Sequence, residues 1–187
     1  MVSELTQMLR RWKGADAGVE ALLVERLYPE IHAVAERQLR RFPGVQTLQS
    51  TEVVHEAFER LREQDFADVN DRVHFFAIAA TVIRRFLVDH LRRKGSQKRG
   101  EDVVHVALDD LLPGEAAAAA ASSDWLEIDR ALSELGRLDA GCARVVEMRV
   151  FGGLTVEEVA QVLETSESTV NRQWRFARSW LGSRLGP

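Results

Sequence analysis

The chain has 187 residues, of which 45% are hydrophobic and 29% charged, with a formal net charge of −4. That balance excludes a disordered chain, and no run approaches the roughly 18 apolar residues of a membrane-spanning helix. A single cysteine, Cys142, excludes an internal disulfide framework and fits a reducing cytoplasm. Residues 1–16, "MVSELTQMLRRWKGAD", lack the apolar stretch of a secretory signal, so a cytoplasmic protein is expected.

The net charge hides a segregation along the chain. Residues 1–99 carry 17 basic and 14 acidic groups, residues 100–129 carry eight acids and no base, and residues 130–187 carry eight bases and seven acids. An acidic spacer thus separates two modules whose bases are clustered, which says more about partners than the total does.

Helical periodicity predicts helices over 2–13, 17–41, 50–63, 71–94, 124–136, 139–151, 155–163 and 167–182, with no alternating run that demands a strand. The first two offer leucines and valines to a core. Helix 50–63 carries a stripe of Val54, Ala57, Phe58 and Leu61. Helix 71–94 carries the longest one, with Phe76, Ala80, Ile83, Leu87 and Leu91 on a single face. Its second half runs into "RRFLVDHLRRKGSQKR" (84–99), where Arg84, Arg85, Arg92, Arg93, Lys94, Lys98 and Arg99 stand against Asp89 alone. Bases interleaved with Phe75, Phe86 and His90 suit single-stranded DNA, since cations track phosphates and rings stack on bases. Periodicity places Phe76 in the core and leaves Phe75, Phe86 and His90 undecided.

Residues 95–124 break the helical pattern with Gly95, Gly100, Pro113-Gly114 and an alanine run. They read as a linker with one short docking element near 103–112. Its acids suggest that this tether masks a basic face of the protein. Beyond it, "LTVEEVAQVLETSESTVNRQWRFARSWL" has helix-turn-helix punctuation. Thr155 and Glu158 form a T-x-x-E capping box, and Ser166 is placed to cap the following helix. Val170, Trp174, Ala177 and Leu181 fall on one stripe of that helix. Asn171, Arg175 and Arg178, flanked by Ser168, Thr169 and Arg172, fall on the other side, as in a helix that reads the major groove. A surface helix with solvated arginines is the bland alternative. Trp174 and Trp180 read as core or rim residues.

"STEVVHEAFERL", "DRVHFFAIAATVIRRFLVDHLRRK" and the C-terminal segment from "LSELGRLDAG" onward occur in the order seen in bacterial sigma factors of the extracytoplasmic-function (ECF) group, which the chain resembles over residues 5–185. The likeness is to an ECF-like subgroup with "VHEA", "HFFAIAA" and "ILVDH"-type signatures. The resemblance implies an all-α protein of two helical domains. Residues 1–95 would form a domain that docks on polymerase and melts the −10 element, 96–124 an acidic linker, and 125–187 a helix-turn-helix domain that reads the −35 element. It further implies that Glu52, Val53, His55, Glu56 and Phe58 dock on the β′ clamp of core RNA polymerase, with the polymerase β flap a further contact of the chain. The −10 residues would be Phe75, Arg84, Arg85, Phe86, Asp89, His90, Arg92, Arg93 and Lys94. Those of the −35 helix would be Ser168, Thr169, Asn171, Arg172, Arg175 and Arg178. Promoter DNA, core polymerase and an anti-sigma protein are the implied partners. The chain departs from the family pattern at Glu52, His55, Arg85 and Asn171, where aspartate, glutamine, asparagine and lysine are common, and at Glu164, which replaces a turn glycine.

No enzyme or cofactor is expected. His55-Glu56 lacks the second histidine of H-E-x-x-H, no G-x-x-x-x-G-K-[ST] phosphate loop occurs, and Asp89 and His90 are adjacent but point to different helix sides. Cys142, with Val145, Val146 and Met148, reads as a core thiol. The rival readings are a free-standing helix-turn-helix regulator, which does not need helix 71–94, and an adaptor that only binds polymerase or an anti-sigma protein.

Overall fold

A computed structural model describes residues 4–12, 17–41, 48–64, 66, 69, 72–97, 105–107 and 122–185. Among the described residues, four helices build the N-terminal module: α1 (Glu4–Trp12), α2 (Ala17–Arg41), α3 (Ser50–Arg62) and α4 (Arg72–Gln97). The C-terminal module holds α5 (Trp125–Leu138), α6 (Ala140–Val146) running into a π-helical turn (Glu147–Gly152), α7 (Val156–Val162) and α8 (Glu167–Leu185). The predicted helices stand within a few residues of these bounds.

The fold is all-α, as expected, with one short ladder beside the helices among the described residues. β1 (His105–Ala107) pairs antiparallel with β2 (Ser122–Asp124), His105 opposite Asp124. The "VVHVA" run around β1 is rich in β-branched residues that favour extended backbone, so the element expected near 103–112 is a strand there. Asp109, Asp110, Lys98 and Arg99 lie outside the described residues, as does the side chain of Lys94.

Packing follows the apolar stripes. In the N-terminal module Leu9, Leu23, Leu27, Ile31, Leu61, Ile83 and Leu87 are fully buried. Trp12 stacks on Phe66 at 5.8 Å and meets Phe58 edge-on at 6.2 Å, so α1 closes one end of the bundle. Helix α4 is buried over more than its stripe: Phe75, Ala79, Val82, Phe86 and Val88 are also covered.

The two modules expected from the sequence pack directly on one another. Phe151, at the tip of the π-helical turn, is fully buried, 6.0 Å from the Trp125 ring. Small residues permit the approach, since a Cβ on Gly152 would stand 3.9 Å from Cβ of Ala80 on α4. The carbonyls that end a helix lack intrahelical partners and carry the negative end of its dipole. Here they are answered from α2: Arg37 donates to Gly152 O at 2.7 Å, Gln38 to Phe151 O at 3.4 Å, and Arg41 to Val150 O. The Trp125 indole N–H returns a bond to Arg41 O at 2.8 Å. Gly153 follows in the left-handed region (φ 71°), with the Arg37 guanidinium pressed where a Cβ would be.

Candidate nucleic-acid and polymerase interfaces

The helix-turn-helix is built from local rules. The Thr155 hydroxyl accepts the Glu158 N–H at 3.1 Å while the Glu158 carboxylate accepts the Thr155 N–H at 2.8 Å, completing the predicted capping box. α7 ends in a Schellman motif: Thr165 N–H reaches Ala160 O at 2.9 Å and Glu164 N–H reaches Gln161 O at 3.2 Å. That motif requires a left-handed residue, and Glu164 supplies it at φ 50°. The Ser166 hydroxyl then accepts the Thr169 N–H at 3.3 Å and starts α8.

On α8 the buried stripe is Val170, Trp174, Ala177 and Leu181, as the spacing predicts. Trp174 is a core residue covered by the Arg149 guanidinium, 4.5 Å from its ring. Ser168, Asn171, Arg172 and Arg175 are exposed, and Thr169 and Arg178 are half-buried. Among the described residues, the one bond that holds Arg175 is a long one to Asn171 O (3.4 Å). Sequence reasoning missed Phe176, which stands 47% exposed beside Arg172 and Arg175. A ring left in water on a polar face suits the thymine methyl or sugar edge of a groove. The signal was available, since Phe176 is off the Val170–Leu181 stripe.

The −10 set of α4 divides. Arg85 is exposed and has no ion-pair partner among the described residues. Arg92 and Arg93 are exposed, and Asp89 and His90 half-buried. Three expected members are not surface groups. Phe75 is fully buried between Phe66 and Phe76, at 5.8 and 5.3 Å, and cannot stack on a base. Phe76, placed in the core by its stripe, is instead half-buried beneath Arg72. Phe86 is 7% exposed, capped by Arg60 at 5.2 Å from its ring. Arg84 is 6% exposed and spans two carboxylates of the C-terminal module, Asp129 at 2.5 Å and Glu147 at 2.6 Å.

The docking set splits as well. Glu52 and His55 are exposed and Glu56 half-buried on one face of α3, whereas Val53 and Phe58 are core residues. Glu52 also caps its own helix, accepting the Gln49 N–H at 2.8 Å. Glu56 accepts from Arg60 at 2.7 Å, and Arg60 reaches Asp89 on α4 at 3.2 Å. Burial opposes the Arg60 charge, but these two carboxylates outweigh it and raise its pKa.

Two basic faces, one on α8 of the helix-turn-helix and one on α4, suit a protein that touches DNA twice. The sequence profile of the ECF sigma factor family matches residues 2–186. The chain belongs to the ECF sigma factor family. No curated protein matches it. A sigma factor directs transcription initiation at promoters, with RNA polymerase and promoter DNA as its partners. Among the described residues of this sigma factor, no helix is long and apolar enough to cross a membrane.

Proposed function

We propose that this sigma factor reads the −35 element with the exposed face of α8 and holds the melted −10 strand on the basic face of α4. In this reading Glu52, His55 and Glu56 of α3 dock on the β′ clamp, and the C-terminal module sits on the β flap. The observation that carries the proposal is the α8 face: Ser168, Asn171, Arg172 and Arg175 stand exposed on a capped helix-turn-helix, with an exposed aromatic among them. Arginine pairs bidentately with guanine or neutralises phosphate, and asparagine pairs with adenine.

The chain supplies no catalysis in this scheme. Opening several base pairs costs about 1–2 kcal/mol of stacking per step. With Phe75 and Phe86 withdrawn into the core, capture falls to Arg85, Arg92, Arg93 and His90. Weak contacts at two sites become selective when polymerase holds both modules at high effective concentration.

The test is transcription in vitro from genomic fragments by purified core polymerase, with and without this chain. New discrete start sites are expected. Unchanged transcripts would overturn the reading in favour of a regulator or an adaptor.

A further inference from the structure

We propose that, away from polymerase, the sigma factor closes on itself, with Asp129 and Glu147 standing in for promoter phosphates on the −10 face of α4. The proposal rests on the assignment of that face to the −10 strand. The contact is not a chance meeting of surface charges. The Arg84 guanidinium bridges two carboxylates, presenting one nitrogen to each at 2.5 and 2.6 Å, both of them charge-assisted hydrogen bonds. Its side chain is 8% exposed, and those of Asp129 and Glu147 are 11% and 20% exposed. Arg92, from the next turns of the same face, takes the second oxygen of Asp129 at 2.6 Å. Two arginines of the expected −10 set, Arg84 and Arg92, are therefore occupied by the chain's own acids.

The closure is specific to one of the two DNA surfaces. Arg172 and Arg175 on α8 remain exposed, so the −35 face stays open, whereas on the −10 face Arg84 is buried and Arg92 engaged while Arg85 and Arg93 stay exposed. A second set of bonds holds the same seam, where α2 caps the end of the π-helical turn through Arg37, Gln38 and Arg41. π-helical turns are uncommon and often mark functional positions. The seam is not sealed, however. A cleft of about 550 Å³ runs along it between α4 and α5–α6, bordered by Arg85, Arg92, Arg144 and Glu147, so water and salt reach the outer ion pairs.

Among the described residues, the acids that meet the −10 face lie on folded helices. Asp129 belongs to α5 and Glu147 to the π-helical turn. The ion pairs also continue to the docking helix. From Asp129 they run through Arg92 to Asp89 (3.6 Å), then through Arg60 to Glu56 on α3. A partner that engages Glu56 competes for Arg60 and so reaches the far end of the closure.

The test compares the full chain with the double variant Asp129→Asn, Glu147→Gln by small-angle scattering and by binding to a labelled mixed-sequence DNA single strand. A closed chain of this length has a radius of gyration of about 16 Å. The native protein should match that value. The variant, left with Arg84 buried and uncompensated in the closed form, should expand and bind the single strand about tenfold more tightly or better. Its grip on a mixed-sequence duplex, made through α8, should be unchanged. A folded variant as small as the native protein, or a native protein already expanded, would overturn the proposal. Expansion without a gain in strand affinity would leave closure standing and retire the assignment of α4 to the −10 strand. Should the double variant lose its helical circular dichroism, the single Glu147→Gln, at the more open end of the pair, carries the same comparison.

Discussion

Replacing Arg172 and Arg175 together by alanine should strip the −35 face of its grip without touching the fold. Both side chains are exposed, neither is paired with a carboxylate among the described residues, and alanine is the best helix former, so stability should stay within about 0.5 kcal/mol. Arg178 is left in place because it is half-buried and makes a further contact of its own. Each phosphate that an arginine neutralises adds about 0.9 to the slope of log affinity against log salt. If both side chains lie on phosphates, the slope should fall by about 1.8 and affinity should drop alike on all sequences. If one of them reads a guanine, the slope should fall by about 0.9, and about 1–3 kcal/mol of discrimination should vanish at one base pair. Fluorescence anisotropy of an upstream-element duplex across a salt series, with the sigma factor bound to core polymerase, separates the two. A slope and an affinity identical to native would refute the placement of this face in the groove.

Glu164→Gly should relieve the left-handed backbone at the α7–α8 turn and stabilise the protein by about 1 kcal/mol, raising Tm by about 2–4 °C; a lower Tm would contradict the strain. Asp139 caps α6 by accepting the Cys142 N–H at 2.9 Å, so Asp139→Ala should cost about 1 kcal/mol in denaturant unfolding. That bond, with lesser help from the Cys142 thiol and the Gly141 N–H, holds the Asp139 pKa below its ordinary value. The carboxylate's contribution is therefore complete above about pH 4 and is lost as pH falls through the lowered folded value, so the native–variant gap should narrow only in acid. Burial, then the neighbouring Asp139, push the Cys142 thiol up to about 11. Native Cys142 should accordingly be alkylated at pH 8 about two orders of magnitude more slowly than a free thiol, and labelling at the free rate would show an open site. Glu56→Gln should loosen the Arg60–Asp89–Arg92 chain and speed amide exchange in residues 147–152; unchanged exchange there would break the proposed link between docking and closure.

Much of the fold was legible because local rules wrote it. The capping box at Thr155, the cap at Ser166 and the left-handed Glu164 are all short-range features, and each stands where the spacing puts it. The apolar stripe of α8 was readable for the same reason, since one face is buried and the other is wet. Helix α4 was harder. It is covered on more than one side, so the stripe that placed Phe76 in the core left Phe75 undecided, and the ring off the stripe proved the deeper one. Val53 and Phe58 carry the family's docking pattern yet face inward, because a helix that offers acids to a partner must still bury its other side. The seam between the modules was least accessible to sequence. Arg84 lies 45 residues from Asp129 and 63 from Glu147, and no periodicity connects them. The acidic 100–129 segment did suggest masking of a basic face, but of its acids Asp129, on a helix, is one that meets the arginines, while Asp109 and Asp110 lie outside the described residues.

That one polypeptide steers polymerase to a promoter and keeps its −10 strand open is tested most directly by permanganate, which oxidises unpaired thymines. Thymines just upstream of a mapped start site should become reactive only when core polymerase and this chain are both present. Replacing Arg85 and Arg93 by alanine should abolish that reactivity while leaving upstream protection intact. Thymines that stay unreactive beneath a fully protected promoter, or react equally without this chain, would contradict the account.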